Sequence, residues 1–413
     1  MNQSAYREIE ECRICGNAEL IDFLDIGEQA LGGRFPGPGE DEPPVAPLVV
    51  AQCSNCGLVQ LRHSVDTSEM YTYGYGYRSG TNATMRNHLA GIVDWVVQRC
   101  PLDKGDAVID IGCNDGTLLK SYQDPGLDRI GIDAIAGKFK DDIPFDVQAI
   151  EGFFSIDLVR QNLGHRKAKI ITSIAMFYDL ENPGDFVAAI AEALADDGVW
   201  VLEQSYLATM LETNAFDTIC HEHLEYYALE QIERLATDHG LRVFDVEKNN
   251  INGGSFRLAL CHSGASHETS GSVADLRAEE AEQGMRSPEP YKAFCKRILG
   301  VRDDLKNFIE RENAAGKKIY VYGASTKGNT LLQFCGLDHR HIVAAADRNP
   351  EKWGCRTPLT NIPIVSEEDA RAEHPDYFLV LPWHFRDEFL ERESDFRTQG
   401  GKLIFPLPEL NVV

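Results

Sequence analysis

The sequence contains no long apolar run. No stretch approaches the ~20 consecutive apolar residues needed to span a bilayer. Its opening, MNQSAYREIEE, has acidic residues where a secretory leader would have a basic start and an apolar core. A soluble protein that stays in the cytoplasm, with no membrane partner, is expected. Positive charge is also scarce, with 40 Lys and Arg against 65 Asp and Glu for a formal charge of -25. Nucleic acid needs a basic face, so it is excluded as a main partner, although a local basic pocket is not. Glycine and proline, at 35 and 18 residues, are too few for a collagen-like or disordered chain. At about 150 residues per domain, a chain of 413 residues suggests two or three cores. The 11 cysteines are an odd number spread along a long chain, which suits reduced thiols with one metal site better than a disulfide framework.

Four of those cysteines are paired. Cys12 and Cys15 in CRICG, and Cys53 and Cys56 in CSNCG, form two C-x-x-C turns, each followed by a glycine. Two such turns complete a tetrahedral thiolate shell, and Gly16 and Gly57 supply the permissive backbone, so structural zinc is the expected metal. The alternative is a pair of redox dithiols. With all four positions filled by sulfur, no chemistry is expected at the ion. The Pro- and Gly-rich segment GGRFPGPGEDEPPVAP between the knuckles reads as an irregular loop. After the second knuckle, Tyr71, Tyr73, Tyr75 and Tyr77 alternate with other residues, among them Gly74 and Gly76. This pattern fits either a surface ribbon or an arm that places phenols, including Tyr75 and Tyr77, over a substrate.

In VIDIGCNDGTLL an apolar strand over 107–111 leads into Asp110, Gly112, Asn114, Asp115 and Gly116, with a helix expected to start at Thr117. The spacing D-x-G-x-x-x-G differs from G-x-G-x-x-G and resembles the first motif of class I S-adenosylmethionine-dependent methyltransferases. About twenty residues later RIGID ends a strand on Asp133, where an acid would accept hydrogen bonds from ribose hydroxyls. EGFF, 151–154, puts Phe153 beside the adenine, with a core role as the alternative. KIITSIA, a helix carrying Phe186, Val187, Ile190, Ala191 and Leu194, and GVWVLEQ continue the strand and helix alternation of a doubly wound sheet. The carboxyl ends of its strands nominate Asp110–Asp115, Asp133, the segment Ala175–Tyr178 and Glu203 for one cleft.

FDTICHEHLEYY concentrates titratable groups: His221, Glu222, His223 and Glu225. On a helix His221 and His223 would point apart, and on an extended segment they would share a face. A histidine beside a carboxylate suits proton abstraction. A metal site and a hydrogen-bonded surface loop are the alternatives. Further on, charged helical segments lead to KKIYVYGASTKGNTLL, another strand, glycine turn and helix. Its Gly323 and Gly328 match neither a Walker loop nor a dinucleotide fingerprint, and Asn329 stands where the Walker lysine would be. Turn amides and Lys327 are suited to holding a diphosphate, while Asp347 at the end of the next strand keeps an NAD reading open. Trp383 and His384 in LPWHF are candidates for the base or sugar, with core packing the alternative for the tryptophan.

Taken in order, CRICG, CSNCGLVQL, YGYRSG, IDIGCNDGTLL, DTICHEHLEYY, NGGSFR, YGASTKGNTLLQF, DRNPEKWG and PWHF resemble the nucleotide-sugar C-methyltransferases of deoxysugar biosynthesis over nearly the whole chain. The resemblance implies a zinc-binding domain (1–78), a central methyltransferase domain (79–270) and a C-terminal Rossmann-like domain (271–413). It further implies S-adenosylmethionine and zinc as cofactors, and methylation of carbon 3 of a 4-keto-6-deoxy sugar carried by a nucleoside diphosphate. It places His223 on the general-base position and Glu222 on the accompanying carboxylate. Cys220 replaces an expected tyrosine, and SIAMFYDLENP replaces a pattern with Asn and His, which marks a variant subgroup. The competing functions are an O- or N-methyltransferase of another small molecule, and a nucleotide-sugar- or NAD-binding protein with an inactive methyltransferase fold.

Overall fold

A computed structural model describes residues 6–66, 70 and 77–413. Among them no helix is long and apolar enough to cross a membrane. The first strands are β1 (Tyr6–Glu8), β2 (Leu20–Ala30), β3 (Val45–Cys53), β4 (Val59–Leu61) and β5 (His63–Val65). β2 and β3 form an antiparallel ribbon that rises directly from the knuckles, and only residues 31–44 between them are irregular. β1 pairs with β5.

The central sheet contains β6 (Ala107–Ile111), β7 (Asp128–Asp133), β8 (Val147–Glu151), β9 (Ala168–Ile174) and β10 (Leu194–Ser205). After the two-residue β11 (Glu225–Tyr226), which joins the N-terminal sheet beside β4, it is completed by β12 (Leu241–Asn249) and β13 (Ser255–His262). The order β12-β13-β10-β9-β6-β7-β8, with β13 antiparallel between β10 and β12, is the class I methyltransferase sheet. Every residue of β6 is buried, as expected of a strand covered on both faces.

Two local expectations change. No α-helix starts at Thr117: a turn and a short 3-10 segment, Leu119–Ser121, fill the space before Pro125 and β7. The chain there is too short for several helical turns. The helix Pro183–Ala193 opens on proline, buries Phe186, Val187 and Ile190, and stops one residue before Leu194, which begins β10.

Two helices, Gly271–Gln283 and Glu289–Ala314, lead to the last sheet. It comprises β14 (Ile319–Tyr322), β15 (Ala345–Asp347), β16 (Ile364–Ser366), β17 (Tyr377–Val380), β18 (Lys402–Phe405) and β19 (Asn411–Val412). The order is β16-β15-β14-β17-β18-β19, parallel except for the edge strand β19. The helix Thr326–Cys335 after β14 is capped by the Ser325 side chain and ends on Gly336 at φ 63°. Trp383 ties this sheet to the segment before the HEH run, donating from Nε1 to Asp217 Oδ2 at 2.9 Å.

Candidate active site

The four thiolates Cys12, Cys15, Cys53 and Cys56 lie within 4.8 Å of one another, with Cys12 to Cys56 and Cys15 to Cys53 both at 3.5 Å. A zinc ion with four Zn–S bonds of about 2.3 Å requires S···S distances of about 3.8 Å, so the cluster fits one closed tetrahedral shell. Gly16 and Gly57 close the two knuckles at φ 66° and 74°, each donating its N–H to the carbonyl of the knuckle's first cysteine at 2.9 Å.

Asp110, Gly112, Asn114 and Asp133 line a cavity at the carboxyl ends of β6 and β7, together with His88, Ala175, Met176, Glu203 and Asn252. Gly112 stands at φ 73°, and a Cβ there would come within 3.3 Å of Met176. Asp133 accepts one backbone N–H on each oxygen, from Asn114 and from Ile135, both at 2.9 Å. A carboxylate has about four lone-pair sites, so two remain for the hydroxyls of a ribose. Asp110 accepts from Thr172 Oγ1 at 2.6 Å, and burial pushes its carboxyl up to about 7. These groups fit the nucleoside and the cationic methionine end of S-adenosylmethionine.

Asn114 and Asp115 also act on the segment at Tyr77. Asn114 Oδ1 accepts from Ser79 N at 3.0 Å and Asp115 Oδ2 from Gly80 N at 2.9 Å, which clamps residues 77–80 over the glycine turn. Asp115 faces away from the cofactor cavity, Gly116 packs against Ile143, and Phe153 is 61% exposed and outside the cavity lining. Glu203 is 2% exposed and closes the cavity floor, bonded by Arg257 Nε at 2.8 Å, by Asn249 Nδ2 at 3.0 Å and by His88. Sequence reasoning nominated Glu203 but missed His88 and Asn252. His88 carries no local signal, whereas NGGSFR marked the turn that holds Asn252.

A second cavity, of about 310 Å³, is lined by Glu222, His223, Tyr178, Lys327 and His384, and shares Tyr77, Ser79, Met85, Ala175, Asp179 and Asn252 with the first. His223 Nδ1 lies 2.8 Å from the Thr218 carbonyl, which fixes the proton on Nδ1 and leaves the lone pair on Nε2. Tyr178 packs on the ring at 4.2 Å. Burial, reinforced by the Lys327 charge, pulls His223 down to about 3, so the imidazole is neutral. Glu222 is buried in the same cavity, and its Oε2 makes no hydrogen bond. Among the described residues no hydrogen bond joins it to His223, whose accompanying carboxylate it was expected to be, and a turn spans 221–222.

That turn also separates the two histidines. His221 is 2% exposed, bonds the Ala46 carbonyl of β3 at 3.0 Å from Nε2 and lines neither cavity. Asn329 is likewise structural, donating to the Gly32 carbonyl at 2.7 Å where the N-terminal module meets the last domain. Trp383 is engaged with Asp217 and stands behind the cavity wall that Pro382 and His384 form. Tyr75 lies outside the described residues. Tyr77 borders both cavities and a third, of about 680 Å³, where Arg78, Arg86, Lys120, Lys138 and Arg348 face Asp115, Asp142 and Glu351.

The sheet order, the cofactor cavity and the thiolate cluster together define a zinc-bearing, S-adenosylmethionine-dependent methyltransferase of class I fold. Three family models match along the chain: a zinc binding domain at 12–71, a methyltransferase domain at 85–246 and a C-methyltransferase C-terminal domain at 250–408. The chain is 33% identical over 417 residues to the C-methyltransferase NovU of Streptomyces niveus, covering 100% of this chain and 98% of that protein. It belongs to this family of C-methyltransferases. Among solved structures, a Clostridium acetobutylicum S-adenosylmethionine-dependent methyltransferase is 12% identical with a TM-score of 0.34, covering 43% of this chain and 92% of its own. The magnesium protoporphyrin IX methyltransferase of Synechocystis is 17% identical with a TM-score of 0.34, covering 46% and 91%.

Proposed function

We propose that the acceptor is a 4-keto-deoxysugar carried by a nucleoside diphosphate, and that its carbon is methylated as an enolate generated by His223. The observation that carries this reading is a neutral His223, its Nδ1 held by Thr218 and its Nε2 without a hydrogen bond to the described residues, in a cavity that shares a wall with the cofactor cavity. Carbon is a nucleophile here only after losing a proton, and a proton beside a ketone is acidic enough for a positioned imidazole to remove. His223 takes that proton on Nε2 while Thr218 holds Nδ1–H and keeps the lone pair aimed. S-adenosylmethionine, when bound, supplies an electrophilic methyl group whose bond pair returns to sulfur. The shared residues Tyr77, Ala175 and Asn252 bring donor and acceptor together and exclude water.

The diphosphate reading is supported by the third cavity. Five cations against three acids make it locally basic in a chain of formal charge -25, and Tyr77 and Arg78 connect it to the base cavity.

The test is proton exchange in heavy water with a 4-keto-6-deoxy nucleotide sugar, S-adenosylhomocysteine filling the cofactor site. The enzyme should exchange the proton at the carbon to be methylated. His223→Ala should lose that exchange and keep its affinity for S-adenosylhomocysteine. Exchange at the parent rate in His223→Ala would overturn the base assignment.

A further inference from the structure

We propose that Lys327 is the electrophilic partner of His223: its ammonium holds the carbonyl oxygen of the acceptor and carries the negative charge that develops there when the carbon loses its proton. This rests on the enolate reading above and extends it to the other half of the chemistry. Removing a proton from carbon sends the C–H electron pair into a new carbon–carbon double bond and the carbonyl π pair onto oxygen. Without a donor aimed at that oxygen the charge has nowhere stable to reside, and a base alone is insufficient.

The base cavity offers two cationic side chains, Arg78 and Lys327. Arg78 is engaged outside it, ion-paired with Asp115 at 3.5 Å and with Asp142. Lys327 makes no ion pair among the described residues, and its Nζ makes one hydrogen bond, to the Asn252 carbonyl at 3.0 Å. An ammonium carries three N–H donors, so two remain for a ligand. Asn252 borders both cavities, so this bond anchors Nζ where the acceptor and the cofactor must meet.

The position is built by the fold. Lys327 lies in the first turn of the helix Thr326–Cys335, whose N-terminus is closed by Ser325, and Ser325, Thr326 and Lys327 all line the same cavity. Gly328 behind it has no room for a side chain, since a Cβ would stand 2.5 Å from Leu381. The helix start is therefore pressed against the strand end that carries Pro382 and His384. The ammonium and His223 come from different domains, and docking of the last domain through Trp383 and Asp217 brings them into one cavity. When the carbon has taken the methyl group, the pair on oxygen returns to re-form the carbonyl, and Lys327 holds a neutral ketone again.

A different assignment, in which Lys327 binds the diphosphate, makes an opposite prediction, and the two separate in one experiment. The probe is a nucleoside-diphosphate-linked 4-keto-6-deoxy sugar in heavy water with saturating S-adenosylhomocysteine. Sugar affinity and the exchange rate at saturating sugar are measured separately. Lys327→Met should slow saturated exchange by about 100- to 1,000-fold, the effect of losing one oxyanion donor, with sugar Kd moved less than about tenfold. Lys327→Arg, which keeps the charge, should recover part of the rate. Unchanged S-adenosylhomocysteine affinity certifies that both variants are folded. Saturated exchange at the parent rate with a weakened sugar Kd would overturn the proposal and assign Lys327 to the diphosphate. Absence of exchange in the parent enzyme would instead overturn the enolate reading, and the role of Lys327 with it.

Discussion

Asp133 accepts the backbone N–H of Asn114 at 2.9 Å, tying the end of β7 to the glycine turn that follows β6. The last domain repeats this relationship: Asp347 at the end of β15 accepts from Ala324 at 2.8 Å, in the turn after β14, and from Asn349 at 2.8 Å. Both aspartates rigidify a strand-to-turn junction, but only Asp133 opens on a cavity that also holds Asp110 and Gly112. Beside Asp347 stands Lys352 at 3.8 Å, donating to the Ala324 carbonyl at 2.7 Å. The second copy keeps the turn and sets a lysine against both its aspartate and its turn carbonyl.

The first prediction follows from the two lone-pair sites left on Asp133. Asp133→Ala should weaken S-adenosylhomocysteine binding by about 1–3 kcal/mol, because the ribose hydroxyls would lose their acceptor. Calorimetry reads this directly, and an unchanged Kd would move the ribose elsewhere.

Asp110 gives the cofactor a pH dependence. Burial, opposed by the Thr172 hydrogen bond and reinforced by the Asp133 charge, lifts its carboxyl from 3.8 to about 7. A folded value above the unfolded one means that the folded chain holds a proton the unfolded chain has lost. The resulting stability is full below the unfolded value and disappears as pH rises through about 7. The ammonium of the cofactor favours the ionised acid, so its affinity should tighten between about pH 6 and about pH 8, with proton release on binding. Asp110→Asn should flatten that profile. A wild-type Kd independent of pH over the same range would show that Asp110 does not face the charge.

The strands and the thiolate shell were legible in the sequence because each is a local pattern. Buried parallel strands such as AVIDI are continuous apolar runs, and a C-x-x-C turn fixes two ligands within four residues. Asp133 was legible for the same reason, as an acid closing such a run. What could not be read was direction. His221 and His223 differ in fate because the backbone turns between them, one reaching β3 and the other the base cavity. Asn329, Trp383 and His88 are fixed by partners at Gly32, Asp217 and Glu203, more than a hundred residues away in each case. No spacing rule reaches that far.

The zinc shell should be indispensable to the N-terminal module. The knuckles join the ends of the β2–β3 ribbon, next to the buried core of Leu48, Val50, Leu58 and Val59. Cys53→Ser should lose one equivalent of zinc and expose the module to proteolysis, since metal-binding energy is folding energy in such domains. Full zinc retention with normal protease resistance would rule out this four-cysteine shell.

The last prediction concerns Glu222, which the sequence pairs with His223 and the fold does not. The Nδ1 of His223 is engaged by Thr218 through its carbonyl, with the hydroxyl also within 3.2 Å, so the imidazole needs no carboxylate to hold its tautomer. Glu222 instead presents a buried Oε2 without a partner to the cavity wall, and burial raises its pKa, which favours a protonated acid able to donate. A group of this kind is expected to bind the acceptor rather than to tune the base. Glu222→Gln should therefore leave exchange at saturating sugar within about threefold of the parent while raising sugar Kd about fivefold or more, a split between binding and chemistry. If saturated exchange falls about 100-fold at unchanged sugar affinity, Glu222 is coupled to the base, and the Thr218 contact is not what orients His223.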